Sequence, residues 1–174
     1  MHKLFAIALV VVNRTIVLIS CLSFMKSHFF YSETIINRPI NEVFDFFSKA
    51  ENLNRLTPDE LEFKILTPLP LQMRKGALID YQIRLSKIPF KWKTEITAWN
   101  PPFSFTDRQI KGPYKIWIHE HSFLDNGNQT KMIDRVEFLS PGGILEPIIN
   151  KAFVESRVKE IFSYREKRLK EIFV

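Results

Sequence analysis

Cysteine is nearly absent. Cys21 is the single one in 174 residues, so the chain can build neither an intrachain disulfide nor a thiolate pair for zinc or redox chemistry. Glycine is scarce as well, with five residues, and no glycine-rich phosphate loop or nucleophile elbow can be assembled from them. Long apolar runs are missing too. Residues 4–12 are apolar throughout, Asn13, Arg14 and Thr15 interrupt, and residues 16–24 are mostly apolar again. Neither run reaches the ~20 residues of a membrane-spanning helix. The formal net charge is +6, but lysines and arginines are scattered among acids instead of forming a basic run. Nucleic-acid binding is therefore not expected.

Aromatic residues are what the chain has in excess: sixteen Phe, four Tyr and three Trp, 13% of the sequence. The length fits a single core, and the 45% hydrophobic and 25% charged content is ordinary for a globular protein. So much bulky apolar surface serves either a Phe-rich core or the lining of an apolar cavity.

Residues 1–24 admit three readings. They could span a membrane with Arg14 buried, at about 2.5–3.5 kcal/mol on insertion scales. They could be a lipoprotein signal, with Lys3 at its start and Leu18-Ile19-Ser20-Cys21 as its cleavage box. The third reading, which we favour, starts translation at Met25, because the first patterned strand begins just after it. The expected organisation is a hydrophobic extension over residues 1–24 and one ligand-binding domain over residues 25–174. The matching localisation is cytoplasmic, with anchoring through residues 1–24 as the alternative.

Residues 27–37 read as a first strand. Pro39 opens a short amphipathic helix over residues 39–48, with Ile40, Val43, Phe44 and Phe47 at helical spacing. A second helical turn over residues 52–56 stops before Pro58. From residue 61 the punctuation is that of an antiparallel meander, with strands expected at 61–67, 77–85, 90–99, 103–110, 114–124 and 129–139. Asp125-Asn126-Gly127-Asn128 marks the clearest hairpin. Ala77, Ile79, Tyr81, Ile83 and Leu85 alternate with polar residues, as do Phe90, Trp92, Thr94, Ile96 and Ala98, so one sheet face is buried.

That face needs a cover. Residues 148–173 run without Gly or Pro and carry a stripe of Ile144, Ile148, Val154, Val158, Ile161, Phe162, Leu169 and Ile172. Lys159, Glu160, Lys167, Lys170 and Glu171 face outward. A second apolar stripe of Leu145, Ile149 and Phe153 makes the helix start apolar nearly all round, which places a pocket mouth or a membrane-contacting lip there.

Chemistry concentrates on one strand. Trp117, His119, His121 and Phe123 share a face beside Asp134, although the flanking Ile116 and Ile118 leave open which face points inward. Two histidines at i and i+2 can both ligate zinc, but a site needs a third ligand. Only Asp134 and Glu120 are near in sequence. No metal, no cofactor and no catalytic residue is assigned. His119, His121, Asp107 and Asp134 are the groups able to move a proton, with Asp107 and Arg108 read as surface polar residues.

The segments Arg38-Pro-Ile-Asn-Glu-Val-Phe-Asp-Phe-Phe47, Ala50-Glu-Asn-Leu-Asn-Arg-Leu-Thr-Pro58, Leu78-Ile-Asp-Tyr81, Pro89-Phe-Lys-Trp-Lys-Thr-Glu-Ile-Thr-Ala-Trp-Asn-Pro-Pro102 and Gly112-Pro-Tyr114 carry a likeness. Over residues 27–173 the chain resembles the SRPBCC superfamily of START lipid-transfer domains, birch-pollen-allergen-like proteins and polyketide cyclases, and its bacterial ligand-binding branch in particular. The resemblance implies an α+β helix-grip fold: a curved antiparallel β-sheet, two short helices and a long C-terminal helix over an apolar cavity. It implies a partner that is a hydrophobic small molecule, whether lipid, quinone, sterol-like or polyketide-like; the apolar start of the last helix adds peripheral membrane contact as a further option. The expected ligand-binding residues are Tyr81, Ile83, Trp92, Phe105, Trp117, His119, His121, Phe123 and Asp134. A binder is expected before an enzyme; a cyclase or dehydratase acting on an aromatic or polyketide substrate is the alternative.

Overall fold

The computed structural model describes residues 7–12, 15–20, 26–85, 87–142 and 153–174. Strands β1 (Ile7–Val12) and β2 (Thr15–Ser20) pair antiparallel as a separate two-stranded sheet. The main sheet has seven strands: β3 (His28–Ile36), β4 (Lys64–Ile65), β5 (Leu78–Leu85), β6 (Ile88–Asn100), β7 (Ser104–Lys111), β8 (Ile116–Asn126) and β9 (Gln129–Leu139). Their order is β3-β9-β8-β7-β6-β5-β4, a meander in which the first strand returns beside the last. All neighbours are antiparallel. Among the described residues no helix is long and apolar enough to cross a membrane.

Period-two burial organises the sheet. Ala77, Ile79, Ile83, Trp92, Thr94 and Ile96 are all buried on its inner face, as alternation over a single apolar face requires. The β6–β7 ladder is irregular at Lys93/Thr94 and again at Ile96/Ala98, and the second irregularity breaks the pattern. The β6–β7 register slips between Ile96 and Ala98, and the extra residue of such a bulge inverts the facing of the side chains beyond it. Ala98, expected inside, is exposed. Trp99 takes its place, packing on Phe44 and Phe105 with ring centroids 5.2 and 5.6 Å away.

The β8–β9 hairpin also shifts by one residue from the Asn-Gly frame. Asn126 pairs with Gln129, so Gly127 and Asn128 form the loop. Gly127 adopts φ 69° and accepts this without steric cost. Asp125 fixes the turn by accepting the Gly127 N–H at 3.0 Å. The strand expected over residues 61–67 shrinks to Lys64–Ile65, because residues 59–61 coil into a 3-10 turn closed by Glu62 at φ 43°. Conversely, β6 starts earlier than expected and includes Pro89, which a strand tolerates near its first residue.

Helix α1 (Ile40–Phe47) follows Pro39 and buries Ile40, Val43, Phe44, Phe46 and Phe47. A 3-10 segment (Ala50–Leu56) comes next. The long helix α2 (Glu155–Ile172) has 18 residues, about five turns, and packs along β3 and the 3-10 segment. The expected start of this helix, with Leu145 and Ile149, lies outside the described residues. Its buried face is Val158, Phe162, Arg165 and Leu169, while Lys159, Glu160, Lys167, Lys170 and Glu171 are exposed. Apolar packing forms two clusters. One joins α1 to Phe105, Phe123, Met132 and Leu169; the other gathers Val136, Phe138, Val158 and Phe162.

Candidate functional site: a cavity with one charged wall

Between these clusters, under α2, lies a cavity of about 170 Å³. The wall built by β5 and β6 is apolar, with Ile79, Tyr81, Ile83, Trp92 and Ile96 lining it. Tyr81 pairs with Trp92 across the strands, and their rings stack at 5.7 Å and 17°. Trp117 meets Trp92 edge-on at 5.5 Å. Gln109 pins the β7–β8 loop: its Nε2 donates to the Tyr114 carbonyl at 2.6 Å, and the Tyr114 N–H donates to its Oε1 at 3.3 Å. This holds the Tyr114 ring against Trp92 and Trp117. Burial raises the Tyr114 hydroxyl to about 12, so it stays protonated.

The opposite wall is polar. On β8 the histidines turn inward, at 5% exposure for His119 and 3% for His121, whereas Ile116 and Ile118 are only half-buried. Register supplies their partners. Asp107 lies directly opposite His119 on β7, and Asp134 directly opposite His121 on β9, which also brings each carboxylate within reach of the other histidine on the diagonal. His119 Nε2–H donates to Asp134 Oδ1 at 2.8 Å, and His121 Nε2 lies 3.2 Å from Asp107 Oδ2. His121 Nδ1 lies 3.0 Å from Asp134 Oδ1, and His119 Nδ1 lies 3.7 Å from Asp107 Oδ2. From α2, Arg165 Nη2 lies 3.4 Å from His121 Nδ1 and 3.8 Å from Asp134 Oδ1. Phe105 stacks on His121 with centroids 4.1 Å apart, and the Arg165 guanidinium sits over the Phe47 and Phe162 rings.

Desolvation sets the protonation of this wall. Burial, reinforced by the neighbouring His121, lowers His119 to about 4 against the pull of Asp134, so His119 is neutral near pH 7. Burial alone would raise Asp134, but the Arg165 charge and the hydrogen bonds from the two histidines hold it well below the usual carboxylate range. Asp134 is therefore an ionised acceptor, and His119 must carry its proton on Nε2. On the other wall, burial first and the Asp107 charge second keep the Tyr81 hydroxyl well above its ordinary value. Two buried donors, Trp92 Nε1 and Arg165 Nε, have no hydrogen-bond acceptor among the described residues. A ligand entering this space meets an apolar wall, a bare imidazole nitrogen and a carboxylate together.

Of the expected ligand-binding residues, Tyr81, Ile83, Trp92, Phe105, Trp117, His119 and His121 line the cavity. Phe123 does not; it is fully buried beneath, against Phe44 and Phe47. Asp134 stands behind the histidines and does not reach the cavity surface. Phe153, 72% exposed just before α2, is not among the residues lining this cavity, and Leu145 and Ile149 lie outside the described residues. Two residues change status. Asp107 is no surface group: it lines the cavity and holds His121. Arg165 belongs to the site although no motif marked it; the signal was its place in the 158, 162, 165, 169 spacing.

No protein-family model matches the sequence, and no curated protein matches it. Solved structures do. The Zhui aromatase/cyclase from Streptomyces sp. R1128 superposes with a TM-score of 0.67 at 11% identity, covering 84% of this chain and 93% of that one. The major latex-like protein 151 from Panax ginseng gives 0.62 at 10%, covering 85% and 98%. Norcoclaurine synthase from Thalictrum flavum, in complex with dopamine and hydroxybenzaldehyde, gives 0.60 at 12%, covering 84% and 88%. Such identities bear on architecture alone, and the architecture they establish for this chain is the helix-grip fold.

Proposed function

We propose that the protein binds a hydrophobic small molecule in the cavity, its apolar body against Tyr81 and Trp92 and its polar end at Asp107, His119 and His121. The observation that carries this reading is the wall chemistry. A core built only for stability gains nothing from two carboxylates, two imidazoles and a guanidinium at its centre, because well-packed apolar residues of similar volume serve as well or better. A mostly apolar pocket with a few convergent polar groups is how small-molecule sites are made. The volume matches a compact ligand: an apolar cavity of about 150 Å³ accommodates benzene, so a ring system or a short acyl segment fits the space as it stands.

The test is native mass spectrometry of the purified protein, followed by thermal shift against a panel of lipids, quinones and small aromatics. A binder at 100 times its Kd adds about 2.7 kcal/mol of stability. Ile79→Trp, which fills the cavity, should abolish that shift while preserving the far-UV circular dichroism. No co-purified molecule and no shift across the panel would reject the reading.

A second reading rests on His119. A neutral imidazole with Nδ1 bare beside the cavity can accept a proton from a bound substrate, which suits a cyclase or dehydratase. Turnover of an aromatic or polyketide substrate that is lost in His119→Phe with the fold intact would establish it, and unchanged turnover would remove it.

A further inference from the structure

The atoms of the charged wall divide into two sets. His119 Nδ1 and His121 Nε2 lie 3.7 and 3.2 Å from the same oxygen, Asp107 Oδ2. Their other nitrogens, His119 Nε2 and His121 Nδ1, lie 2.8 and 3.0 Å from one oxygen of the other carboxylate, Asp134 Oδ1. Asp107, His119 and His121 each offer a donor atom within 4.8 Å of the others, and these three residues line the cavity while Asp134 does not. His119 Nε2 faces Asp134 Oδ1, so its other nitrogen, Nδ1, is turned towards the Asp107 carboxylate, as is His121 Nε2.

We propose that Asp107 Oδ2, His119 Nδ1 and His121 Nε2 hold a divalent transition-metal ion, zinc in the first instance, with Asp134 bracing both imidazoles from behind. The spacing fits. Tetrahedral donors about 2.0–2.2 Å from zinc stand about 3.3 Å apart, within a few tenths of an ångström of the 3.2 and 3.7 Å contacts. The outer arrangement fits as well, since metal-bound histidines characteristically pass their second nitrogen to a carboxylate. Two imidazoles and one carboxylate suit zinc or its transition-metal neighbours and offer too few oxygens for calcium or magnesium. Three protein ligands leave a fourth position open towards the cavity, where a ligand oxygen or a water would sit. With the ion in place the N–H groups of both imidazoles would face Asp134 Oδ1, from His119 Nε2 and His121 Nδ1.

This goes beyond the apolar-ligand reading and is separable from it. Chelator-treated protein is titrated with zinc against a chromogenic competitor, and with cobalt(II) while visible absorption is recorded. One ion per chain and the intense d–d bands of four-coordinate cobalt are expected. Asp134→Asn should weaken zinc by 10–100-fold, and Asp107→Asn by more than that. Asp107→Asn decides the matter, because it leaves the Asp134–Arg165 pair in place and the fold can be confirmed by circular dichroism. His28→Gln, remote from the cluster, should change nothing. No stoichiometric ion, an affinity unchanged in Asp107→Asn, or only the weak bands of six-coordinate cobalt would overturn the proposal. The thermal-shift panel is run on the same chelator-treated protein, so apolar binding can stand when metal binding fails, and the reverse.

Discussion

The two walls of the cavity face the same space and come from one sheet, yet they are held by different forces. On the β5–β6 wall, Ile79, Ile83, Trp92 and Ile96 contribute buried apolar area. Each of those contributions is local, near 25 cal/mol per Å², and tolerates replacement by a residue of similar size. On the β7–β9 wall, Asp107, His119, His121, Asp134 and Arg165 form one network in which each charge is bearable only because of its partners. The apolar wall degrades gradually when altered, whereas the charged wall fails as a unit. Stability alone can account for the first wall, whereas the second is the one on which the proposed ligand and ion sites rest.

The sharpest way to break this contrast is to remove one charge. Asp134→Ala leaves Arg165 buried without its carboxylate and should cost about 3–5 kcal/mol, read from urea unfolding. Asp134→Leu combined with Arg165→Met should recover most of that loss, because an apolar pair needs no compensation. A single-mutant cost below about 1 kcal/mol would mean that water reaches the cluster and that the two walls do not differ.

Acid should distinguish the walls next. In metal-free protein His119 titrates near 4 when folded and near 6.5 when unfolded. Between those values the unfolded chain binds more protons, so stability rises with pH there. Lowering the pH from about 6.5 to about 4 should therefore remove stability on the order of 3 kcal/mol. Asp134, held well below its usual range, loses its contribution in the same direction but only at lower pH. His119→Phe should flatten the profile between pH 6.5 and 4; an unchanged slope would assign the effect to other groups.

The difference between the walls also explains what could be read from the sequence. Alternation over one face announces itself within a single strand, so the apolar wall was legible from Ile79, Tyr81, Ile83 and Trp92, and the meander from its turns; the return of β3 beside β9 was not. The bulge was not, since it depends on how β6 meets β7 and reverses Ala98 and Trp99 without any local mark. Asp107 looked like a surface residue for the same reason: its role arises only when β7 pairs with β8 and sets it opposite His119. Arg165 occupies a core position of α2, and a cation there makes sense only through Asp134, 31 positions earlier in the numbering. Partnership across strands and between sheet and helix is a pairwise property that composition and period do not encode.

The smallest expected effect tests whether the apolar wall is as local as its chemistry implies. Tyr81 carries the polar link of that wall, a contact between its hydroxyl and Thr94 Oγ1 at 3.3 Å. Tyr81→Phe removes that long hydrogen bond and keeps the ring stacked on Trp92, so the cost should be about 0.5–1.5 kcal/mol. The hydroxyl remains protonated throughout the neutral and acid range, and the loss should therefore be the same at pH 7 and pH 4.5. A parallel downward shift of the urea midpoints at both pH values meets that expectation. A loss that grows as the pH falls would tie Tyr81 to Asp107 and the histidines, and the cavity would then have one coupled lining in place of two independent walls.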